Sequence, residues 1–485
     1  MKKIKAIVIF LLGVAMYAVA GAQEVDYSPY KKFDFHGGDF SVVGKIGGKI
    51  YTYRGSAEGH YLDAYNDSMQ LVATVVLDFF PNRIYETKFI TYNDQIILLY
   101  QGLEGNKLIQ YAALLDGNGR LKKGPIALDN VKTGIFGPIK NYFSYGVSDD
   151  KKRVVVYTTR TKGGELSFDG KWIDDQLNIV KRSHAVFNAV NGIETGEAIV
   201  ANNGNLYFSA YTPVGSKAYS DQLWLLMLKN SDTKFSSIEF PLKDIYATSL
   251  YLKIDNIKNR IYAGGFYSDK RNGSYTGVLY GYYDLVSDSL QAHKVIPFDG
   301  KLLSESGSNN KKRAFDNFRV KQIIVKNDGG FVMLSEYFYY DVRTSYVPGF
   351  GYYSFYYSPY SSQEIREYHY NDIMALSYDG EGNRQWNSFV YKEQFSQEDA
   401  GLFSSYLLMN TGGMLGFLFN DFNEKNSQVQ MALIDEDGKV QMHSFAIDGK
   451  SSPDWMPRSG KQVSAREVVV PCLRKREICF AKITF

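Results

Sequence analysis

The chain has 485 residues, with 55 Lys plus Arg against 52 Asp plus Glu, and is rich in Tyr (39) and Phe (31) but holds only two Cys. That near balance, without a basic stripe, argues against a nucleic-acid binder, which needs an electrostatic footprint for the phosphate backbone. Strand-like alternation runs throughout and no sustained 3.6-residue apolar period stands out, so the composition reads as all-β.

Residues 1–22 have the layout of a secretory signal. Lys2, Lys3 and Lys5 precede an apolar stretch from Ile7 to Val19, and Ala20-Gly21-Ala22 supplies a small-x-small cleavage pattern. The apolar run falls short of the roughly 20 residues that a spanning helix needs. No Cys follows the cleavage pattern, so a lipoprotein is not expected, and no later stretch is long and apolar enough to span. The expectation is an exported protein, periplasmic or extracellular, beginning at Gln23. Without its three leader lysines the mature chain is close to neutral.

From there a two-strand unit keeps returning: an apolar strand that ends near an Asp, a tight turn and a second alternating strand. Clear copies are Ala112–Gly119, Met374–Gly382 and Met431–Gly438, with looser ones at Leu225–Asp232 and Tyr280–Asp284. Upstream of the clear copies lies another pair of strands, as at Tyr85–Tyr100, Val320–Ser335 and Ser404–Phe419. A four-stranded meander repeated every 45 to 55 residues or so is the pattern of a β-propeller. The units fall at 39–80, 83–128, 140–190, 195–241, 246–298, 316–391 and 402–447. Residues 460–485 supply three further strands, and Lys32-Phe33-Asp34-Phe35 is the expected fourth. The reading is one propeller over residues 23–485 with eight four-stranded blades (seven being the alternative), its ring closed by both chain ends. Such closure leaves few sheet edges open.

The sixth unit is interrupted by an aromatic-rich insertion at about 337–371, including Tyr339, Tyr340, Tyr346, Tyr352, Tyr353, Phe355, Tyr356, Tyr357 and Tyr360. Long loops in compact domains tend to be functional, and Tyr combines a large apolar face with a hydroxyl, as recognition surfaces require. The alternative is a long hairpin whose rings merely cover their neighbours. In the last unit, a four-residue loop at 474–477 sets Cys472 opposite Cys479. This predicts a disulfide across a close, non-hydrogen-bonded pair.

The hairpin Asp379-x-x-Gly382-x-x-x-Trp386 resembles the blade motif of quinoprotein and tryptophan-docked (WD40-like) propellers. The mature chain, notably Ser148-Asp149-Asp150-Lys151-Lys152 and Asn371-Asp372-Ile373, resembles exported β-propeller proteins of Gram-negative bacteria. The resemblance implies a fold and brings no activity with it.

Chemistry is sparsely signalled. Asp435-Glu436-Asp437-Gly438 begins like a calcium loop, but position 446 is Ala446 where a bidentate Glu would stand; a hairpin turn needs the same Asp and Gly. No nucleophile elbow, zinc HExxH or Walker loop occurs, and the six His are scattered. No metal and no cofactor is expected. Short Asp-Gly turns belong to one face of the ring, whereas 213–221, 267–276, 300–316 and 337–371 elaborate the other. The functional expectation is a non-enzymatic exported binding or scaffold propeller. It would hold a protein partner or glycan on the long-loop face through the Tyr cluster. The alternative is a carbohydrate-active or other hydrolytic enzyme with its site in the central funnel.

Overall fold

The computed structural model describes residues 24–485 apart from 35–36, 135–141, 190, 214, 216–218, 231, 308–309, 346–362, 424–425 and 446–451. The signal segment 1–22 and the aromatics from Tyr346 to Tyr360 lie outside the described residues. The chain forms eight antiparallel sheets in sequence order, at 39–76, 84–132, 144–188, 194–240, 246–297, 318–397, 406–445 and 454–484. Each is one blade, so the eight-bladed propeller is what the sequence folds into.

The blades follow from burial. Middle strands are covered on both faces by neighbouring blades and read as continuous apolar runs. Gln95–Glu104 is buried over its first eight residues, whereas the outer strand Val440–Phe445 is exposed except at its last residue. No central core exists. Instead eight apolar clusters each fill one interface between successive blades: Tyr51, Tyr53 and Leu62 meet Ile96, Leu98 and Leu115 between the first two, and Tyr65, Met69 and Phe480 pack between the last and the first. Such stacking makes stability a sum of neighbour terms.

Aromatic donors latch the interfaces. Tyr51 Oη donates to Gly117 O (2.8 Å), Tyr92 Oη to Lys151 O (2.7 Å), Trp172 Nε1 to Gly204 O (2.8 Å) and Tyr262 Oη to Gly329 O (3.1 Å). Trp386 Nε1 donates likewise to Glu436 O (2.8 Å). In each case the acceptor is a turn of the following blade.

The ring closes through the N-terminus, by a segment slightly earlier than expected. Glu24–Tyr27 pairs with Ala481–Thr484, and Lys31–Lys32 continues against Glu477–Ile478, forming the outer edge of the last blade. Phe33 instead buries its ring between the last and first blades. The insertion of the sixth blade is, where described, a twisted extension of its middle strands: Phe331–Ser345 pairs with Gln363–Tyr378 beyond the blade body.

Cys472 does face Cys479, yet both thiols are free and buried, which corrects the disulfide expectation. Pairing continues to Arg474 and Glu477, leaving a two-residue turn at Lys475-Arg476. The neighbouring Phe480 spends its N–H and C=O on Ser28, away from Pro471. The two cysteines therefore occupy the wider, hydrogen-bonded kind of pair. Burial pushes the Cys472 thiol well up. No described helix is long and apolar enough to cross a membrane, and no described group of His, Cys, Asp and Glu could hold a metal.

Candidate active site at the channel mouth

The innermost strands of the blades line the central channel, and their N-terminal ends form its mouth on the long-loop face. In blades six to eight this mouth collects ionisable groups. Lys321 stands on the inner strand Phe318–Val325, Glu336 and Tyr370 on the two long middle strands, Ser405 at the entry to the inner strand Tyr406–Asn410, and Arg458 in the single helical turn before Lys461–Ser464.

At the base is an ion pair sealed from solvent. Glu336 and Lys392 both have side-chain exposures of 0%. The Lys392 ammonium uses its three donors on Glu336 Oε1, Tyr370 O and Gln394 Oε1, each at 2.9 Å. The other Glu336 oxygen accepts from Ser405 Oγ at 2.7 Å and lies 3.5 Å from Lys321 Nζ. Burial holds the Lys392 ammonium below its ordinary range, and the Glu336 carboxylate opposes that shift. Gln394 ties the pair to the next blade by donating to Asn420 O at 2.7 Å and accepting from Ser405 N at 2.7 Å.

Above the pair sits Tyr370. Its hydroxyl accepts from Arg458 Nη1 at 3.0 Å, and its ring lies beneath both the Lys321 ammonium (5.6 Å) and the Arg458 guanidinium (5.7 Å). Burial pushes the phenol up; Arg458 pulls it down, and the carboxylates of Glu336 and Asp399 push it further up. Tyr370 therefore keeps its proton at neutral pH and is equipped to donate it. Asp399 is fixed by accepting from Gly401 N at 2.8 Å. Arg458 is exposed, and Lys321 is about one third exposed. A tyrosine only 5% exposed thus lies between its neighbours beneath one carboxylate and two cations that reach solvent at the mouth.

The segment that brings them together is strained. Glu398 (φ 53°), Ala400 (φ 55°) and Ser405 (φ 66°) hold left-handed conformations that L residues avoid. Gly401 (φ 72°) comes so close to Tyr370 that a Cβ there would lie 2.4 Å from the ring. Further round the mouth, Glu197 acts on the Tyr251 phenol, which burial already pushes up, and Glu336 and Tyr251 act on the buried phenol of Tyr406.

Of the residues singled out from sequence, Tyr339 and Tyr340 are described. Tyr339 stacks on His369 with centroids 4.3 Å apart and planes 3° apart, and Tyr337 meets it edge-on. Tyr340 is 59% exposed. Tyr346, Tyr352, Tyr353, Phe355, Tyr356, Tyr357 and Tyr360 lie outside the described residues. Of the groups that converge at the mouth, Tyr370 belongs to the aromatic insertion, whereas Lys321, Glu336, Lys392, Asp399 and Arg458 were not singled out. A signal existed for one of them: Glu336 follows the buried run Phe331–Ser335 on its strand, so it places a charge where strand patterning demands an apolar residue.

A polar cavity of about 480 Å³ lies away from this mouth, between the outer strand of blade two and blade three, where His184 Nδ1 meets Asp169 Oδ1 at 2.8 Å and Arg160 and Arg182 stand exposed. It lacks the buried support and strained backbone of the mouth.

No protein-family model matches the chain, and no curated protein does. Among solved structures the chain is similar to prolyl oligopeptidase B from Galerina marginata (11% identity, TM-score 0.40, 93% of this chain and 56% of that one). It is also similar to a PL25 ulvan lyase (11%, 0.40, 81% and 90%) and to polysaccharide lyase Uly1 (9%, 0.38, 95% and 99%). The chain thus spans little more than half the length of the prolyl oligopeptidase. At this distance the likeness extends to the propeller fold alone. A likeness this distant carries no argument about activity, and it is the gathering of ionisable groups at the mouth that corrects the expectation of a non-enzymatic binding scaffold in favour of its alternative. Of the described insertion rings, Tyr337, Tyr339 and His369 pack on one another whereas Tyr340 stays exposed.

Proposed function

We propose that the protein is a carbohydrate-active enzyme that cleaves an anionic glycan at the long-loop mouth of its channel. The observation that carries this reading is the convergence of Tyr370, Asp399, Arg458 and Lys321 over the sealed Glu336–Lys392 pair. In the proposed roles, Arg458 and Lys321 hold a sugar carboxylate or ester anion and stabilise charge that develops on it. Tyr370 gives its proton to the leaving oxygen and Asp399 takes a proton from the attacking water or the sugar ring. Glu336, Lys392 and Gln394 are positioning residues that fix the tyrosine's backbone and the strained segment.

Carbohydrate is favoured over peptide by the aromatic faces left open nearby. Tyr340 and Tyr391 are each 59% exposed and Phe395 is 45% exposed, and such rings stack on sugars. The aromatics Tyr346, Tyr352, Tyr353, Phe355, Tyr356, Tyr357 and Tyr360 belong to the same proposal as further substrate-holding groups. So does export, on the strength of Lys2, Lys3, Lys5 and Ala20-Gly21-Ala22. Incubation of the mature protein with neutral and uronate- or sulfate-bearing polysaccharides, followed by size analysis of products, tests this. Shortening of an anionic polymer alone is expected. Failure to shorten any of them, or indifference to charge, would overturn the reading.

A further inference from the structure

A second cluster of cations lies near the opposite end of the channel, the end bearing the short turns, and it has no role in the site above. Lys461, on the inner strand of blade eight, donates to Val43 O of blade one at 2.7 Å. That same carbonyl accepts from Thr91 Oγ1 of blade two at 2.6 Å. Thr91 O in turn accepts from Lys151 Nζ at 2.8 Å, and Lys151 belongs to the first turn of blade three. Lys88, on the inner strand of blade two, holds its ammonium 5.2 Å from the Tyr145 ring. Four blades thus place three ammonium groups around one stretch of channel.

What is missing there is negative charge. Among the described residues none of the three lysines has a carboxylate within ion-pair distance. The acidic neighbours in the Lys151 turn are occupied elsewhere: Asp149 by Asn256 (2.7 Å) and Lys253 (3.6 Å), Asp150 by Ser148 Oγ (2.7 Å) and Lys152 N (3.0 Å). Their attachment to backbone carbonyls positions the ammonium groups of Lys461 and Lys151 without neutralising them. Burial, with the repulsion of Lys88 and Lys151, lowers the Lys461 ammonium to about 8. Like charges gathered in a partly desolvated channel cost stability unless an anion joins them. Gly44 (φ 143°) lets the Val43 carbonyl lie against Thr91, since a Cβ would fall 3.0 Å from Thr91 Oγ1.

We propose that Lys88, Lys151 and Lys461 form a binding site for a tetrahedral oxyanion, either free or as the ester group of a glycan that enters the channel. Three ammonium groups, each with three N–H donors of which at most one is spent on a backbone carbonyl, suit the several acceptor oxygens of sulfate or phosphate. The site stands independently of the proposed cleavage, because none of its three lysines belongs to the cleavage machinery and its test reads binding alone.

Isothermal titration of the mature protein with sodium sulfate, and separately with glucose 6-sulfate, would be run against sodium chloride of equal ionic strength. Binding of either above the chloride control is expected. Binding of the sugar ester alone identifies the glycan as the source, and binding of both identifies the free anion as sufficient. Lys461→Gln and Lys151→Gln should each weaken binding about tenfold or more, the loss of one charge-assisted contact, while Lys461→Arg retains most of it. Circular dichroism would establish that the variants fold. No sulfate-specific heat from either probe, or undiminished wild-type affinity in both Gln variants, would overturn the proposal.

Discussion

Lys392 and Glu336 each depend on the other for a counter-charge in a place without water, and this makes a sharp prediction. Lys392→Met alone leaves a buried carboxylate supported only by Ser405 Oγ and Lys321. It should cost about 3–5 kcal/mol in chemical denaturation. The double variant Lys392→Met with Glu336→Leu removes both charges and should cost clearly less than the sum of the singles, a coupling that a double-mutant cycle measures. Lys461 gives a pH test. Its folded value of about 8 lies below its ordinary 10.5, so between those pH values the unfolded chain binds more protons. Stability contributed by this group therefore rises as pH goes from about 8 to 10.5. Urea titrations at several pH values should show that rise in the wild type relative to Lys461→Gln, and parallel curves for the two proteins would contradict it.

The recurring Asp turn has one geometry in the outer hairpins of four blades. Asp116 Oδ1 accepts from the amides of Asn118 and Arg120, Asp174 from Gln176 and Asn178, Asp379 from Glu381 and Asn383, and Asp435 from Asp437 and Lys439, all at 2.8–3.0 Å. The residue three after the Asp is left-handed, and it is Gly119, Gly382 or Gly438 in three of these turns but Leu177 in the fourth. Leu177 tolerates that backbone because its side chain is buried between blades two and three. The carboxylate thus serves the turn, as expected in preference to calcium. Asp435→Ala should lower stability by about 1–2 kcal/mol, and millimolar calcium should leave the melting temperature of the wild type unchanged. These hairpins were legible because Asp, Gly and the alternating strands act locally. The turn at Lys475-Arg476 was not, because no Asp or Gly marks it; reading it as four residues long misjudged the kind of pair holding Cys472 and Cys479.

At the scale of the whole ring, closure by the first strand makes the chain ends part of one cooperative unit. Deleting residues 23–33 removes the edge pairing of Glu24–Tyr27 and Lys31–Lys32 and the buried Phe33. The whole ring should melt earlier as one transition; a variant with an unaltered melting temperature would contradict closure. Blade count and closure by both chain ends could be read from period and burial pattern, whereas the mouth could not. Lys321, Glu336, Tyr370 and Lys392 meet only once the distant strands of blade six pair, and Arg458 reaches them from blade eight only through the circular stacking of the ring. The central claim is that this neighbourhood performs chemistry. The most direct measurement is steady-state cleavage of one anionic polysaccharide by wild type, Tyr370→Phe and Arg458→Gln, each verified as folded by its melting temperature. The account predicts that Tyr370→Phe lowers kcat by about 10²-fold or more with little change in KM, and that Arg458→Gln lowers kcat/KM on the anionic polymer. Wild-type turnover in both variants would contradict it.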